Sequence, residues 1–184
     1  MRAVVQRVSE ASVAVHGRVV GRCGKGLVVM VAAHARDTER EAVKMADRVW
    51  GLRIFNDAEG KLNFALRDLV VNAAAPPTLF PSLAGSPPRR GEGSDPAPLS
   101  KVEGYSVLAI SNFTVYGETA KNRRPSFIES APYERGEELF DLFVKELKGL
   151  GCPVETGIFG THMDVSMVND GPVTLIMDVP PPPY

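Results

Sequence analysis

The sequence predicts an α/β fold of the α+β-like kind, with mainly antiparallel β-sheets and two amphipathic helices packed as a β/β/α layered or barrel-like single domain. Valine-rich segments come first along the chain, and two stretches with helical spacing of apolar residues are interleaved with later strands. Strands followed by helices in this order are typical of sheets that carry their helices on one side. The chain has 184 residues, 44% hydrophobic and 23% charged, which suits one globular domain with its own core.

The N-terminal part of the chain is predicted to be all strand. Residues 2–8 and 11–15 are rich in valine, a β-branched residue that favours strands. The pair His16-Gly17 is typical of a hairpin turn, so residues 18–22 are expected to return as the next strand. The apolar run at 27–33 suits a buried strand, and it is far too short to cross a bilayer.

A first amphipathic helix is predicted next. Asp37 or Thr38 can cap its N-terminus, because a short polar side chain there accepts a hydrogen bond from a free backbone N–H. Helical spacing of apolar residues gives this helix one buried stripe, which consists of Val43, Ala46, Val49 and Trp50. Residues 52–55 then lead into a turn cluster at 56–60.

A sharp change of composition follows the short segment that continues to Val71. Residues 72–101 consist largely of Pro, Gly, Ser and Ala. Such a sequence buries too little apolar surface to offset the entropy of ordering it. We interpret it as a loosely ordered insertion within a single domain over 1–179, which a Pro-rich tail follows at 180–184.

The second half is predicted to bring a second amphipathic helix. Residues 105–110 are predicted to form a strand that residues 111–116 continue, and a polar, basic loop spans 117–124. Ser130 or a neighbour is expected to cap the helix that follows. Its apolar face consists of Leu139, Phe140, Phe143, Leu147 and Leu150.

Strands close the chain. Residues 154–156 are short and extended, and 163–168 alternate as a half-buried strand does. Residues 169–172 are typical of a turn. Residues 173–179 are then predicted to be the closing strand.

Composition excludes several classes of function. The formal net charge of −1 gives no global positive field, so any RNA contact has to be local. Cys23 and Cys152 make no disulfide framework and predict a reduced, cytoplasmic protein. Arg7 and Glu10 interrupt the apolar start, which argues against a secretory leader. The three histidines show no metal-ligand spacing, so neither a metal nor a cofactor is expected.

Several short motifs nevertheless occur in one colinear order. They are MRAVVQRV at the start, LRIFND, the strand-end SNFTV, the RPSF segment and the closing NDGPVT. With these motifs the chain resembles the Gly-cisPro type of D-aminoacyl-tRNA deacylase, a family that removes D-amino acids from mischarged tRNA. The resemblance covers both ends and most of the middle of the chain, and it implies that family's fold and substrate.

The resemblance implies a catalytic strand end. The family's Ser-Gln-Phe-Thr motif falls on Ser111, Asn112, Phe113 and Thr114. Ser111, Phe113 and Thr114 are thereby implied in catalysis and Asn112 in substrate binding, although Asn112 carries a shorter amide than the family's glutamine. Backbone N–H groups near Phe113 and Thr114 can stabilise the oxyanion of the ester, which is worth about 3–4 kcal/mol in known oxyanion holes.

A chiral filter is the second implication of the resemblance. The family's Gly-cisPro motif falls on Gly171 and Pro172, which implies a cis peptide bond, and the arginine that braces it falls on Arg7. In the family this corner of one subunit projects into the pocket of the other, so a homodimer with its active site at the subunit interface is implied. A backbone wall there would exclude L side chains while accepting D-amino acids and achiral glycine.

The resemblance further implies that the terminal 2′-hydroxyl of the tRNA helps to activate water, which removes the need for a histidine base. Thr114 as a nucleophile ranks second, because an unassisted hydroxyl is a poor nucleophile. Lys121, Arg123 and Arg124 follow the catalytic strand. They are expected either to contact the phosphates of the acceptor end or to form a solvated basic loop.

Two other classes of function stay open at this point. The same scaffold can serve as a non-catalytic module that binds the tRNA end or a small ligand, since Asn112 departs from the family pattern. Alternatively, the Pro-rich insertion and the PPPPY tail can recruit partners that have aromatic grooves.

Overall fold

The structure is a computed structural model that describes residues 1–72, 104–120 and 123–180. The predicted insertion, apart from its first residue, and the tail beyond residue 180 lie outside the described residues. The described residues contain eight strands, which are β1 (Arg2–Val15), β2 (Arg18–Cys23), β3 (Gly26–Ala32), β4 (Arg53–Asn56), β5 (Leu62–Ala65), β6 (Ser106–Ser111), β7 (Val154–Thr156) and β8 (Asp164–Asp178). They also contain four helical segments, which are α1 (Glu39–Trp50), α2 (Leu66–Asn72), the 3₁₀ helix (Phe113–Tyr116) and α3 (Tyr133–Gly149).

Six of these strands make one strongly curved sheet. Its order is β2-β1-β3-β6-β7, and β8 pairs with β1 as well. The pairs of β1 with β2, β3 and β8 are antiparallel, whereas β6 runs parallel to both β3 and β7. The two ends of the sheet approach each other, since the Arg22 amide on β2 donates to the Glu155 carboxylate on β7 at 2.7 Å. This mainly antiparallel, nearly closed barrel confirms the predicted fold class.

β1 is one strand where the sequence predicts two. Ser9 and Glu10, which separate the two predicted strands, are exposed but stay within β1, because β8 pairs with Val8 and Glu10 across this point. The turn at His16-Gly17 is confirmed. Both residues take the positive φ that a two-residue hairpin requires, at 51° and 74°.

α1 is capped by Thr38 rather than by Asp37. The Glu41 carboxylate accepts a hydrogen bond from the Thr38 amide at 2.9 Å, as in a capping box. Val43 is exposed rather than part of the buried stripe, because the buried face starts one residue earlier. This face consists of Ala42, Met45, Ala46, Val49 and Trp50.

α3 begins with Pro132 at its N-cap, so Ser130 does not cap it. Ser130 instead pairs with His34 in an isolated β-bridge, and its hydroxyl donates to the Phe113 carbonyl at 3.0 Å. The sequence therefore predicts the helix but misplaces the role of its serine. It also wrongly assigns Leu150 to the apolar face, because this residue is the C-cap and is 42% exposed. A third helix, α2, occupies a segment for which the sequence predicts no helix.

Two apolar clusters hold the layers together. The larger one joins the odd-numbered face of the first half of β1 to α1 and α3. The smaller one lies on the other face of the sheet and consists of Val8, Ala11, Val13, Cys23, Val28, Leu108 and Ile110. Among the described residues, no helix combines the length and the apolar character needed to cross a membrane.

Candidate active site

The central parallel strand of the sheet carries the predicted catalytic motif at its end. β6 lies between β3 and β7, and residues 106–110 are buried on both faces. Ser111 is the last residue of this strand and is half-buried. Because the strand is buried up to this point, the residues that follow it emerge together at one edge of the sheet.

The chain turns immediately after Ser111, where the sequence predicts that the strand continues to Tyr116. The Asn112 amide still donates to the Val31 carbonyl of β3 at 2.9 Å. Its side-chain Oδ1, however, accepts hydrogen bonds from the Thr114 amide at 3.2 Å and from the Thr114 hydroxyl at 2.5 Å. A side chain that captures the backbone two residues ahead competes with strand pairing. This explains why the 3₁₀ helix replaces the predicted strand.

The backbone amides of Phe113 and Thr114 differ in whether they already donate a hydrogen bond within the described part of the chain. The Thr114 amide is already bonded to Asn112, whereas none of the described residues accepts a hydrogen bond from the Phe113 amide. The Phe113 side chain is 59% exposed and packs edge-to-face on Phe127, with ring centroids 5.1 Å apart. Of the two predicted oxyanion donors, only the Phe113 amide is therefore unoccupied in the described part of the chain.

A cavity of about 650 Å³ opens beside this strand end. One wall consists of Ser111, Asn112, Phe113 and Thr114, together with the ends of β3 and β6. Ligand cavities in proteins are commonly 300–1,000 Å³ and mostly apolar. The structure thus brings all four predicted strand-end residues to one ligand-sized space.

Part of the cavity lining is aromatic, and the sequence alone did not predict this part. Tyr133 at the start of α3 packs edge-to-face on Phe159 at 5.1 Å, and Phe140 lies 6.0 Å from Phe159. Gly160 has φ +69°, and a Cβ at this position would overlap the Tyr133 ring. In the sequence, this glycine next to Phe159 is the one signal that could have indicated the close packing of Tyr133 against this segment.

Ionisable side chains are scarce around the cavity. Among the described residues that line it, Tyr133 and His162 are the ones with an ionisable side chain. The His162 side chain is 90% exposed, and its Nε2 lies 3.5 Å from an oxygen of Asp164. Burial raises the pKa of Cys23 and of Cys152 to about 12, so neither thiol is a nucleophile near neutral pH.

A backbone corner projects from β8, where the sequence predicts a turn between two separate strands. β8 is continuous, but Gln6 of β1 pairs with Thr174 and Val8 pairs with Asn169. A step of two residues on β1 thus faces a step of five on β8, which is a large bulge. Gly171 and Pro172 lie at its exposed tip and are joined by a cis peptide bond. Neither residue lines the cavity of its own chain.

Arg7 lies directly beneath this corner and is 8% exposed. Its Nε donates to the Asp170 carbonyl at 3.0 Å and lies 3.3 Å from the Asp170 carboxylate. Its Nη1 donates to the Ile54 carbonyl at 2.7 Å and to Oδ1 of Asn56 at 2.9 Å. The guanidinium therefore ties the bulge of β8 to the β4 strand.

The basic loop is only partly described. Lys121 lies outside the described residues, while Arg123 and Arg124 are exposed and do not line the cavity. Their expected contact with phosphates remains a prediction.

The fold and the site together define a curved-sheet protein that has a ligand cavity at a strand end and a braced backbone corner outside that cavity. The family model for D-Tyr-tRNA(Tyr) deacylase matches residues 4–74 and 92–178. The chain belongs to this family, which confirms the resemblance seen in its motifs.

Individual relatives agree with this assignment. The chain is 42% identical over 178 residues to a D-aminoacyl-tRNA deacylase of Geobacter sulfurreducens, covering 97% of this chain and 95% of that protein. It is 40% identical to a D-aminoacyl-tRNA deacylase of Desulfitobacterium hafniense, covering 97% of both. The solved structure of a c-Myc DNA Unwinding Element Binding Protein is similar too, with a TM-score of 0.73, 28% identity, and coverage of 98% of this chain and 99% of that one.

Proposed function

We propose that this protein hydrolyses the ester bond of D-aminoacyl-tRNA and releases the free D-amino acid and the tRNA. Family membership together with the cavity at the Ser111–Thr114 strand end is the observation that carries this proposal. We propose that it acts in the cytoplasm, where aminoacyl-tRNA is used.

The terminal adenosine of the tRNA is proposed to occupy the aromatic side of the cavity. Tyr133, Phe140 and Phe159 supply ring faces and edges there. Stacking of a base on an aromatic side chain is worth about 1–3 kcal/mol per base. A base held in this way would leave its ribose and the attached ester within the same cavity, which Phe113 and Thr114 also line.

Rejection of L-amino acids is proposed to come from the Gly171–Pro172 corner of a second copy of the chain. The corner is exposed and lies outside the cavity of its own protomer, so a homodimer would be needed to bring it to a substrate. Arg7 is proposed to brace the corner through Asp170. A main-chain wall of this kind clashes with an L side chain and leaves D-amino acids and glycine unhindered.

The chemical step is proposed to use backbone and substrate groups. The free Phe113 amide would stabilise the developing oxyanion. The 2′-hydroxyl of the terminal ribose would help to activate the attacking water, in keeping with the scarcity of ionisable side chains around the cavity. Ser111 and Asn112 would hold the strand end in place, and Arg123 and Arg124 would contact phosphates of the acceptor end.

The direct experiment measures amino acid release from D-tyrosyl-tRNA and L-tyrosyl-tRNA under single-turnover conditions. We expect release from the D-substrate to be faster than from the L-substrate by at least about a hundredfold, a difference of ~2.7 kcal/mol in activation free energy. Equal rates on the two substrates, or no release above the spontaneous rate, would refute the proposal.

A binding module without catalysis is the second candidate, and the Asn112 side chain favours it. This shorter amide replaces the glutamine of the family's catalytic motif, and its Oδ1 accepts hydrogen bonds from Thr114. The same assay separates the two candidates. Tight binding of tRNA without release of the amino acid would select the binding module.

Thr114→Ala is expected to reduce the rate on the D-substrate by less than about tenfold, because the nucleophile is water and not the Thr114 hydroxyl. The loss would reflect the hydrogen bond from this hydroxyl to Asn112. Thr114→Ser, which retains the hydroxyl, is the matched control and should behave like the wild type. A loss of about a thousandfold in the alanine variant, ~4 kcal/mol, with full activity in the serine variant would establish Thr114 as the nucleophile.

His162→Gln tests the one imidazole at the cavity. We predict that His162 is not a general base, so the rate on the D-substrate should change by less than about threefold. Loss of a general base normally lowers the rate by at least about a hundredfold. The pH profile should keep its shape. A hundredfold loss of rate in this folded variant would instead assign His162 as the base.

A further inference from the structure

The bulge in β8 leaves residues 170–173 without register partners on β1, and Val173 is the last of them. Val173 lies between Asn169 and Thr174, the two residues that pair with β1, so its backbone has no partner on that strand. The Asn169 side chain fills this role. Its Oδ1 accepts a hydrogen bond from the Val173 amide at 2.8 Å, and its Nδ2 donates to the Val173 carbonyl at 3.1 Å. A carboxamide carries one acceptor and one donor group, as a peptide unit does, so asparagine replaces the missing piece of strand.

Gln6 connects this side chain to β1. The Asn169 Nδ2 lies 2.9 Å from Oε1 of Gln6, and the Thr174 hydroxyl lies 3.3 Å from the same oxygen. Asn169 and Thr174 are the residues at which the bulge leaves β1 and returns to it. We call the four residues Gln6, Asn169, Val173 and Thr174 the amide clamp. The clamp closes the base of the loop that carries Gly171 and Pro172.

The amide clamp and Arg7 act from opposite sides. Gln6 and Arg7 are consecutive residues of β1, and consecutive side chains of a strand point to opposite faces of the sheet. Arg7 lies on the buried face and reaches Asp170, whereas Gln6 reaches Asn169 and Thr174 from the other face. The corner is thus held on both sides of the sheet.

We propose that Asn169 and Gln6 are positioning residues that fix the Gly171–Pro172 corner from the face of the sheet opposite Arg7, and that discrimination between D- and L-substrates depends on them. This inference rests on the proposed function, since the corner must meet a substrate for its position to matter. A wall excludes one hand of an amino acid only while it stays in place. If the base of the loop were loosened, the Gly171–Pro172 corner could move aside and an L side chain could enter.

The test compares Asn169→Ala, Asn169→Asp and Gln6→Ala with Ser166→Ala, a matched control on an exposed position of β8 away from the bulge. Asn169→Asp keeps the acceptor for the Val173 amide and loses the three hydrogen bonds that Nδ2 donates to Gln6, Val173 and Thr174. We expect the ratio of D-rate to L-rate to fall about tenfold or more in the three clamp variants, the size of one or two lost hydrogen bonds. The L-rate should rise, and Ser166→Ala should keep the wild-type ratio.

Hydrogen exchange of the Val173 amide provides a readout that does not depend on activity. We expect it to accelerate about tenfold or more in Asn169→Ala and to stay near the wild-type rate in Asn169→Asp. Should the wild type fail to hydrolyse D-aminoacyl-tRNA, the proposed function is refuted, and this exchange pattern alone decides whether the clamp exists. Folded clamp variants with an unchanged D-to-L ratio, or with unchanged exchange in Asn169→Ala, would overturn the inference. If Asn169→Ala does not fold, the ratio measured in Gln6→Ala decides.

Discussion

Gly171→Ala is expected to reduce hydrolysis of D-aminoacyl-tRNA by at least about a hundredfold, ~2.7 kcal/mol in activation free energy. Gly171 has φ +142°, a conformation that residues with a side chain rarely adopt. A Cβ at this position would lie 2.9 Å from the Val173 nitrogen and 2.8 Å from a Val173 methyl group. The corner must therefore shift as a whole, and we expect the shifted main chain to obstruct the D-amino acid that the native corner leaves unhindered. Single-turnover rates on D-tyrosyl-tRNA measure this loss.

Gly60→Ala is the matched control for this experiment. Gly60 also has a positive φ, at +78°, but a Cβ there would meet no atom within 4 Å. The control therefore introduces backbone strain of the same kind in an exposed turn away from the corner and should keep wild-type activity. Wild-type rates in a folded Gly171→Ala variant would show that the corner does not meet the substrate.

Removing the 2′-hydroxyl from the terminal adenosine of the substrate is expected to have the largest effect. A D-aminoacyl-tRNA that ends in 2′-deoxyadenosine should be hydrolysed about a thousandfold more slowly, ~4 kcal/mol in activation free energy. The reason is our proposal that the substrate itself assists the attacking water, which is made because Tyr133 and His162 are the only ionisable side chains in the described lining of the cavity. Rapid-quench measurement of amino acid release gives the rate.

A substrate with the 2′-hydroxyl removed from the penultimate nucleotide controls for a general effect on tRNA binding, and it should react at the normal rate. Unchanged turnover of the terminally modified substrate would end the substrate-assisted account. His162 would then be the residue to test as the base, and the profile of the His162→Gln variant would become decisive.

Local hydrogen bonding explains where the sequence analysis succeeded and where it did not. The turn at His16-Gly17 and the strand leading to Ser111 could be predicted, because the local conformational preferences of their residues determine them. The same β-favouring residues also suggested that the strand continues through Tyr116. That prediction was wrong because the Asn112 side chain accepts hydrogen bonds from Thr114. Whether an asparagine side chain bonds to its own backbone in this way or points away from it depends on the space that the fold provides.

Long-range contacts account for what was missed at the site. Tyr133 and Phe159 meet only because α3 and the loop before β8 pack together, and no spacing in the sequence connects them. The sequence does place a turn at Asn169–Pro172. It does not reveal that this turn is a bulge within one strand, because that depends on its register with Gln6 and Val8 of β1.

The central claim is that the corner of one protomer completes the cavity of its partner, and complementation between two inactive variants tests it most directly. Gly171→Ala subunits retain the cavity and lack a working corner. Gly136→Trp subunits retain the corner, but tryptophan would fill the cavity that Gly136 lines. Mixed dimers, isolated by two different affinity tags after co-expression, would combine an intact cavity with an intact corner at one of their two sites.

The measurement is the rate of D-tyrosyl-tRNA hydrolysis by the isolated mixed dimer. Our account predicts about half of the wild-type activity per dimer, because one of two symmetry-related sites is restored, while each variant alone stays inactive. Mixed dimers as inactive as their two parents would contradict it.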